Sequence, residues 1–115
     1  YLDSTQQGDF QVARAGWIGD YVDPNTFLDL WITGGGNNRT RWSNSDYDNF
    51  ISTAAATSDA AVRFNAFQKA ETILLNELPI MPIYLYVSLS LIQPGVKGWY
   101  PTLLDHHPYK YVYLE

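Results

Sequence analysis

Arg14-Ala15-Gly16-Trp17-Ile18-Gly19-Asp20-Tyr21, followed closely by Asp23-Pro24, is the stretch on which the reading of this chain turns. It brings together a cation, a tryptophan, two glycines and a carboxylate. Upstream, Phe10, Val12 and Arg14 alternate with Gln11, Ala13 and Ala15, which predicts a strand over 10–17. Downstream, Asp23 is expected as a helix N-cap with Pro24 at the first helical position. A strand that runs through Gly16 and Gly19 into a helix start has the layout of a strand that ends at a ligand. Each glycine leaves room for a second backbone to approach.

The rest of the composition narrows the options. A chain of 115 residues can hold one domain with a real core, and 46% hydrophobic against 17% charged residues describes a folded protein. Aromatics are abundant, with nine Tyr and four Trp. The formal net charge is −5 and the seven basic residues are scattered, so neither nucleic acid nor an anionic membrane surface is an expected partner. No apolar stretch reaches the roughly 18 to 20 residues that span a bilayer; Ile80 to Ile92, the longest, is broken by Pro82 and two serines. There is no cysteine, which removes disulfides, thiolate metal sites and cysteine nucleophiles. Tyr1-Leu2-Asp3-Ser4-Thr5 has neither the basic residues nor the apolar core of a secretory signal, and the missing initiator methionine leads us to expect processing or truncation upstream.

Taken in order, residues 1–9 are polar and end in Gln6-Gln7-Gly8-Asp9, a turn signal. Phe27, Leu28 and Trp31 share a face of a short helix over about 24–31. Gly34-Gly35-Gly36-Asn37-Asn38 is a loop, and it lacks the Gly-Lys-Ser/Thr ending of a phosphate loop. Asn38-Arg39-Thr40 matches a glycosylation sequon, a pattern that arises often by chance. Ser43 and Asp46 suggest a capped start for a helix over 44–56, with Tyr47, Phe50, Ile51, Ala54 and Ala55 at helical spacing. Ala60, Phe64, Phe67, Ala70, Leu74 and Leu78 make the stripe of a second helix over 59–77, closed by Pro79. The two read as a helical hairpin. Beyond Pro82 the pattern turns to strand: Ile83 to Val87, Leu89 to Ile92, a turn at Gln93-Pro94-Gly95, a short strand within Val96 to Tyr100, and an edge strand over Tyr109 to Leu114 for which the chain offers few partners.

Several residues are candidates for chemistry, each with a plainer alternative. Asp20 can anchor an ammonium group at a strand end, or it can be a solvated loop residue or a helix cap. Trp17 can stack on a ligand or fill a core. Arg14 can meet a ligand carboxylate or form a structural ion pair. His106-His107 beside Asp105 raises the question of a metal, but neighbouring strand positions point to opposite faces and rarely ligate one ion, so no metal and no other cofactor is expected. No Gly-x-Ser-x-Gly or Ser-His arrangement supports a nucleophile. Asp20 and Asp23 are the pair a glycosidase would use.

The run from Arg14 to Tyr21 with Asp23-Pro24, continued through Phe27-Leu28, Asn37-Asn38, Ser43 to Ile51, Ala70-Glu71 and Leu78-Pro79-Ile80-Met81-Pro82-Ile83-Tyr84, resembles the extracellular solute-binding proteins of family 5, the oligopeptide- and dipeptide-binding components of ABC importers. The resemblance runs along essentially the whole chain and concerns the C-terminal portion of those longer proteins. It implies an α/β fold class: the C-terminal part of a two-lobe, type II periplasmic-binding-protein-like fold, with a strand, a helix and a helical hairpin followed by a hinge and C-terminal strands. Residues 1–85 would be the C-terminal part of the second ligand-binding lobe, and 86–115 the hinge crossing and return strands of the first. It further implies that Asp20 pairs with a peptide's α-ammonium group. The backbone at Gly16, Trp17 and Ile18 would bind the peptide as an added strand, with Trp17 in a side-chain pocket and Arg14 near a ligand carboxylate for some lengths. The expected partners are an oligopeptide or dipeptide, the membrane permease of an ABC importer and the remainder of the same protein. The expected location is periplasmic or otherwise extracytoplasmic, with a lipid anchor as one form, and no enzymatic activity is expected. The rival readings are a carbohydrate-binding module and a glycosidase fragment using Asp20 and Asp23.

Overall fold

The computed structural model describes residues 1–115. Its ordered centre is a helical hairpin, α3 (Ser45–Ala56) and α4 (Ala60–Glu77), with two short helices before it, α1 (Leu2–Gln7) and α2 (Asn25–Leu28). The side chain of Asn44 caps α3, accepting from the amides of Asp46 and Tyr47 at 3.0 Å each, so the cap is Asn44 and not the expected Ser43. Asp59 caps α4 through the Val62 amide at 3.0 Å. At the other end α4 stops on Leu78, in the left-handed region with φ 51°, immediately before Pro79.

Tyr47, Ile51 and Ala54 of α3 face Ala66, Phe67, Ala70 and Leu74 of α4, and Leu28 of α2 completes the same cluster. The expected stripe of α4 is shifted by part of a turn. Ala66 is buried, whereas Ala60, Phe64 and Leu78 are exposed, and Phe64 meets Phe67 only edge-on at 6.5 Å between centroids. On α3 Ala55 is likewise exposed. Tyr47 is fully buried, and its hydroxyl donates to the Leu28 carbonyl, joining α2 to the hairpin. Burial holds the phenol well above its ordinary pKa, reinforced by the negative charges of Asp29, Asp48 and Glu71, so it remains a proton donor. Glu77, at the end of α4, accepts from Trp42 Nε1 and Asn44 Nδ2 at 2.7 Å each, which closes the hairpin's open end. A 3₁₀ turn, Asp29–Trp31, extends α2 and agrees with the helix expected over 24–31.

The strands differ from expectation. Residues 10–17 form no ladder, and neither do 83–92; no main-chain hydrogen bond to another main-chain group is made by 10–19 or by 81–92. A strand needs a neighbour, and in both stretches this chain supplies none. The only regular pairing is antiparallel, β1 (Val96–Lys97) with β2 (Tyr113–Leu114), in the register Val96 to Leu114 and Lys97 to Tyr113. The tail expected as a strand over 109–114 is thus a 3₁₀ turn at Tyr109–Tyr111 followed by a two-residue strand, and its partner lies within the chain. Gly98 fixes this corner: its φ is 78°, and a Cβ there would lie 1.9 Å from the Tyr111 carbonyl oxygen. The polar start expected as a turn is instead α1, ended by Gly8 at φ 73°.

Twelve of 115 residues are buried, and the radius of gyration is 18.4 Å against about 13 Å for a compact chain of this length. The core is therefore local to the hairpin and α2. No helix is long and apolar enough to cross a membrane. Replacing Tyr47 by Phe removes the one side-chain hydrogen bond between α2 and α3 at constant packing. In the intact protein this is expected to lower the unfolding free energy by about 1 to 2 kcal/mol, read from urea titration. An unchanged midpoint would mean that the hydroxyl contributes nothing.

Candidate functional site

The loop from Gly16 to Asp20 lies against α2. Thr26, 2% exposed, sits beneath it, and its Oγ1 accepts from the Asp20 amide at 3.0 Å and more weakly from Trp17 Nε1 at 3.5 Å. A Cβ on Gly19 would come 3.2 Å from Phe27 and 3.3 Å from the Thr26 methyl, so this glycine permits the loop to close on α2. It is approached by side chains, not by the backbone expected from the sequence. A Cβ on Gly16 would meet nothing within 4 Å, which leaves its backbone open. Trp17 is 41% exposed and Ile18 78%. Upstream, the Tyr1 hydroxyl donates to the Arg14 carbonyl at 2.7 Å, while the Arg14 guanidinium makes no hydrogen bond or ion pair in the chain.

The two carboxylates of the stretch have opposite situations. Asp23 receives Arg63 in a two-pronged pair, Nη1 to Oδ2 at 2.6 Å and Nη2 to Oδ1 at 2.8 Å, and also accepts from the Asn25 amide at 2.9 Å. Arg63 lies over the Phe67 ring at 4.6 Å, which fixes the guanidinium from α4. The hydrogen bond from Arg63 holds the Asp23 carboxyl below its ordinary value, against a smaller opposing effect of burial. Asp20 is exposed and its carboxylate has no partner in the chain. Asp20 is not the cap of α2, and Asp23, tied to Arg63, cannot serve as the proton donor that a glycosidase needs. Nearby, Asn25 Nδ2 bridges the Tyr21 hydroxyl at 2.9 Å and Asp29 Oδ2 at 3.1 Å; Asp29 is raised above the usual carboxylate range, first by burial and then by the charge of Asp20.

The second cluster is structural. Ser88 Oγ donates to Asp105 Oδ2 at 2.7 Å, and His107 Nε2 lies 2.8 Å from Asp105 Oδ1. His107 Nδ1 is 3.0 Å from the Tyr100 carbonyl, and its ring stacks on Trp99 at 4.2 Å. The carboxylate stands between hydroxyl and imidazole, so the imidazole cannot take the serine proton as a catalytic base does. Hydrogen bonds from Ser88 and His107 hold Asp105 below its ordinary range. His106 makes no side-chain hydrogen bond, and no group of three or more His, Asp or Glu side chains assembles. The sequon residue Asn38 is committed too: its amide donates to the carbonyls of Trp31, Ile32 and Trp42, and its Oδ1 accepts from Thr40.

No family model matches the chain. Among curated proteins, the dipeptide-binding protein DppE of Bacillus subtilis is 36% identical over all 115 residues. Among solved structures, Haemophilus influenzae OppA in complex with the peptide RPPGFSPFR matches 98% of the chain at 36% identity and TM-score 0.87. The murein tripeptide-binding protein MppA of Escherichia coli matches 98% at 35% identity and TM-score 0.89. The chain is homologous to the family 5 solute-binding proteins. It spans about a fifth of the length of these relatives, 20% of DppE and 22% of each solved chain. The solved relatives have the two-lobe architecture expected from the sequence, and the helices and small sheet described above are a fragment of it. They are binding proteins, and no relative supports the carbohydrate-module or glycosidase reading. An unliganded open form of MppA matches the same 98% of the chain at a lower TM-score, 0.76.

Sequence reasoning singled out Arg14, Gly16, Trp17, Ile18 and Asp20, and the structure keeps all five on one accessible stretch. It missed Thr26, which looks like any helix-opening threonine, and Arg63, whose partner lies 40 residues away. The Asp23 pairing has a pH consequence. Because the folded carboxyl titrates below its ordinary unfolded value, the pair's contribution is complete above that ordinary value and is lost as the pH falls through the lower folded one. Acid unfolding of the intact protein should therefore steepen below about pH 4, and Arg63→Gln should flatten that part of the curve. An identical acid limb in the variant would refute the assignment.

Proposed function

We propose that this chain is the C-terminal part of an extracytoplasmic solute-binding protein, periplasmic or lipid-anchored, that captures peptides in a cleft between two lobes and hands them to the permease of an ABC importer. Residues 1–85 belong to the second lobe, and 86–115 cross the hinge and return to the first. The observation that carries this reading is the unpartnered carboxylate of Asp20 just beyond Gly16, Trp17 and Ile18, whose main-chain groups are unpaired in this chain. An extended peptide can add to Gly16, Trp17 and Ile18 as a strand and set its ammonium group against Asp20, with Trp17 bordering the first side chain. Arg14, with a free guanidinium, is available to a ligand carboxylate.

The exposed apolar side chains of 81–92 support the placement of the remaining lobes. Leu85 and Leu89 are more than 90% exposed, and that segment satisfies none of its main-chain groups within this chain. The neighbours it needs are strands of the rest of the protein. The protein performs no reaction in this reading: closure biases two arrangements of the lobes through contacts with the ligand.

In the intact protein, Asp20→Ala is expected to weaken a tightly bound peptide roughly tenfold or more, measured by calorimetry. N-acetylation of the same peptide should cost the wild type a similar factor and the variant little. Undiminished affinity for both the variant and the acetylated peptide would remove Asp20 from the site.

A further inference from the structure

The buried hydroxyl of Thr26 is the one group that touches both functional ends of the candidate loop. Its Oγ1 accepts from the Asp20 amide and from the Trp17 indole, and with two lone pairs it is then saturated as an acceptor. Its methyl lies where any side chain on Gly19 would have to go. The loop between Trp17 and Asp20 is therefore wrapped around a single side chain. That side chain is itself fixed, because α2 is held at its start by the Asp23–Arg63 pair and at its end by the Tyr47 hydroxyl on the Leu28 carbonyl.

We propose that Thr26 is a positioning residue that sets the spacing between the ammonium anchor Asp20 and the pocket wall Trp17. The inference rests on the peptide-binding reading above. Because the main chain of Asp20 and the indole of Trp17 both reach one oxygen, the point from which the Asp20 carboxylate projects is set relative to the Trp17 ring, and the site selects ligands in which a primary amine and a side chain branch from the same carbon, as at the N-terminus of a peptide. Thr26 does not touch the ligand; it fixes the main chain from which the anchor projects. A mobile Asp20 would still attract cations, but it would lose the geometric preference for a terminal amine at a fixed distance from the wall.

The test uses the intact protein and a pool of synthetic di- to pentapeptides, half of them N-acetylated and isotopically labelled. The readout is the ratio of free-amine to acetylated peptide retained, measured by mass spectrometry. Thr26→Val keeps the shape and removes the acceptor; it is expected to reduce that ratio at least fivefold, and Thr26→Ser to restore it. A purely structural role would lower the melting temperature and leave the ratio at its wild-type value. Asp20→Asn is the reference and is expected to abolish the preference. Loss of preference in Asp20→Asn with full preference in Thr26→Val overturns the positioning role alone. Full preference in Asp20→Asn overturns the peptide reading on which it rests. Should the valine variant fail to fold, Thr26→Ala removes the same hydroxyl without placing a second methyl under the loop, and the same ratio decides.

Discussion

The hydroxyl of Tyr47 on the carbonyl of Leu28 ties the end of α2 to the core on which the candidate loop depends. By itself α2 is a turn of four residues, too short to be stable alone; buried Leu28 and the Asp23–Arg63 pair join the same attachment. With it, α2 becomes a shelf. Arg63 on α4 pins the start of the shelf through Asp23, and Thr26 in its middle carries the loop of Trp17 and Asp20. The order of dependence runs from core to site: packing orients Tyr47, Tyr47 helps to orient α2, and α2 fixes the main chain of Asp20.

This hierarchy explains why one aspartate is spent on architecture and its neighbour is left free. Asp23 is only three residues from Asp20, yet its charge is answered within the chain by a two-pronged guanidinium. Asp20 retains its charge unanswered while its main chain is tethered. A tethered backbone with a free head group is what recognition of a small cation requires, since ordering costs have been met before the ligand arrives.

Helices were legible in the sequence because their determinants are local. The spacing of Tyr47, Ile51 and Ala54 and the stop at Pro79 act within a few residues, although the cap of α3 proved to be Asn44, one residue on from the expected Ser43. α1 escaped notice because its face is polar; only Gly8, left-handed at its end, marked it. The strands were legible as extended chain but not as sheet, because a ladder depends on a partner that sequence spacing does not identify. Tyr113-Leu114 found Val96-Lys97 across a loop, while 10–17 and 83–92 found nothing here. The site divides the same way. Asp20, Trp17 and the glycines stand out in a motif, whereas Thr26 and Arg63 act across space and carry no local signature.

The stretch Ile83-Tyr84-Leu85-Tyr86-Val87-Ser88-Leu89-Ser90-Leu91-Ile92-Gln93 contains no charge, no glycine and no proline, and it is bracketed by Pro82 and Pro94. Apart from Ser88, which is tied to Asp105, and the Gln93 carbonyl, which accepts from the Val96 amide, its hydrogen-bonding groups and apolar side chains are open along both edges. That is the composition of a cross-β template, and the two flanking prolines are the kind of residue that limits its spread. During synthesis this segment emerges after the hairpin that precedes it, and its safety depends on how quickly neighbouring strands cover it. The same uncharged run that suits a strand buried on both sides is the chain's greatest hazard while it waits.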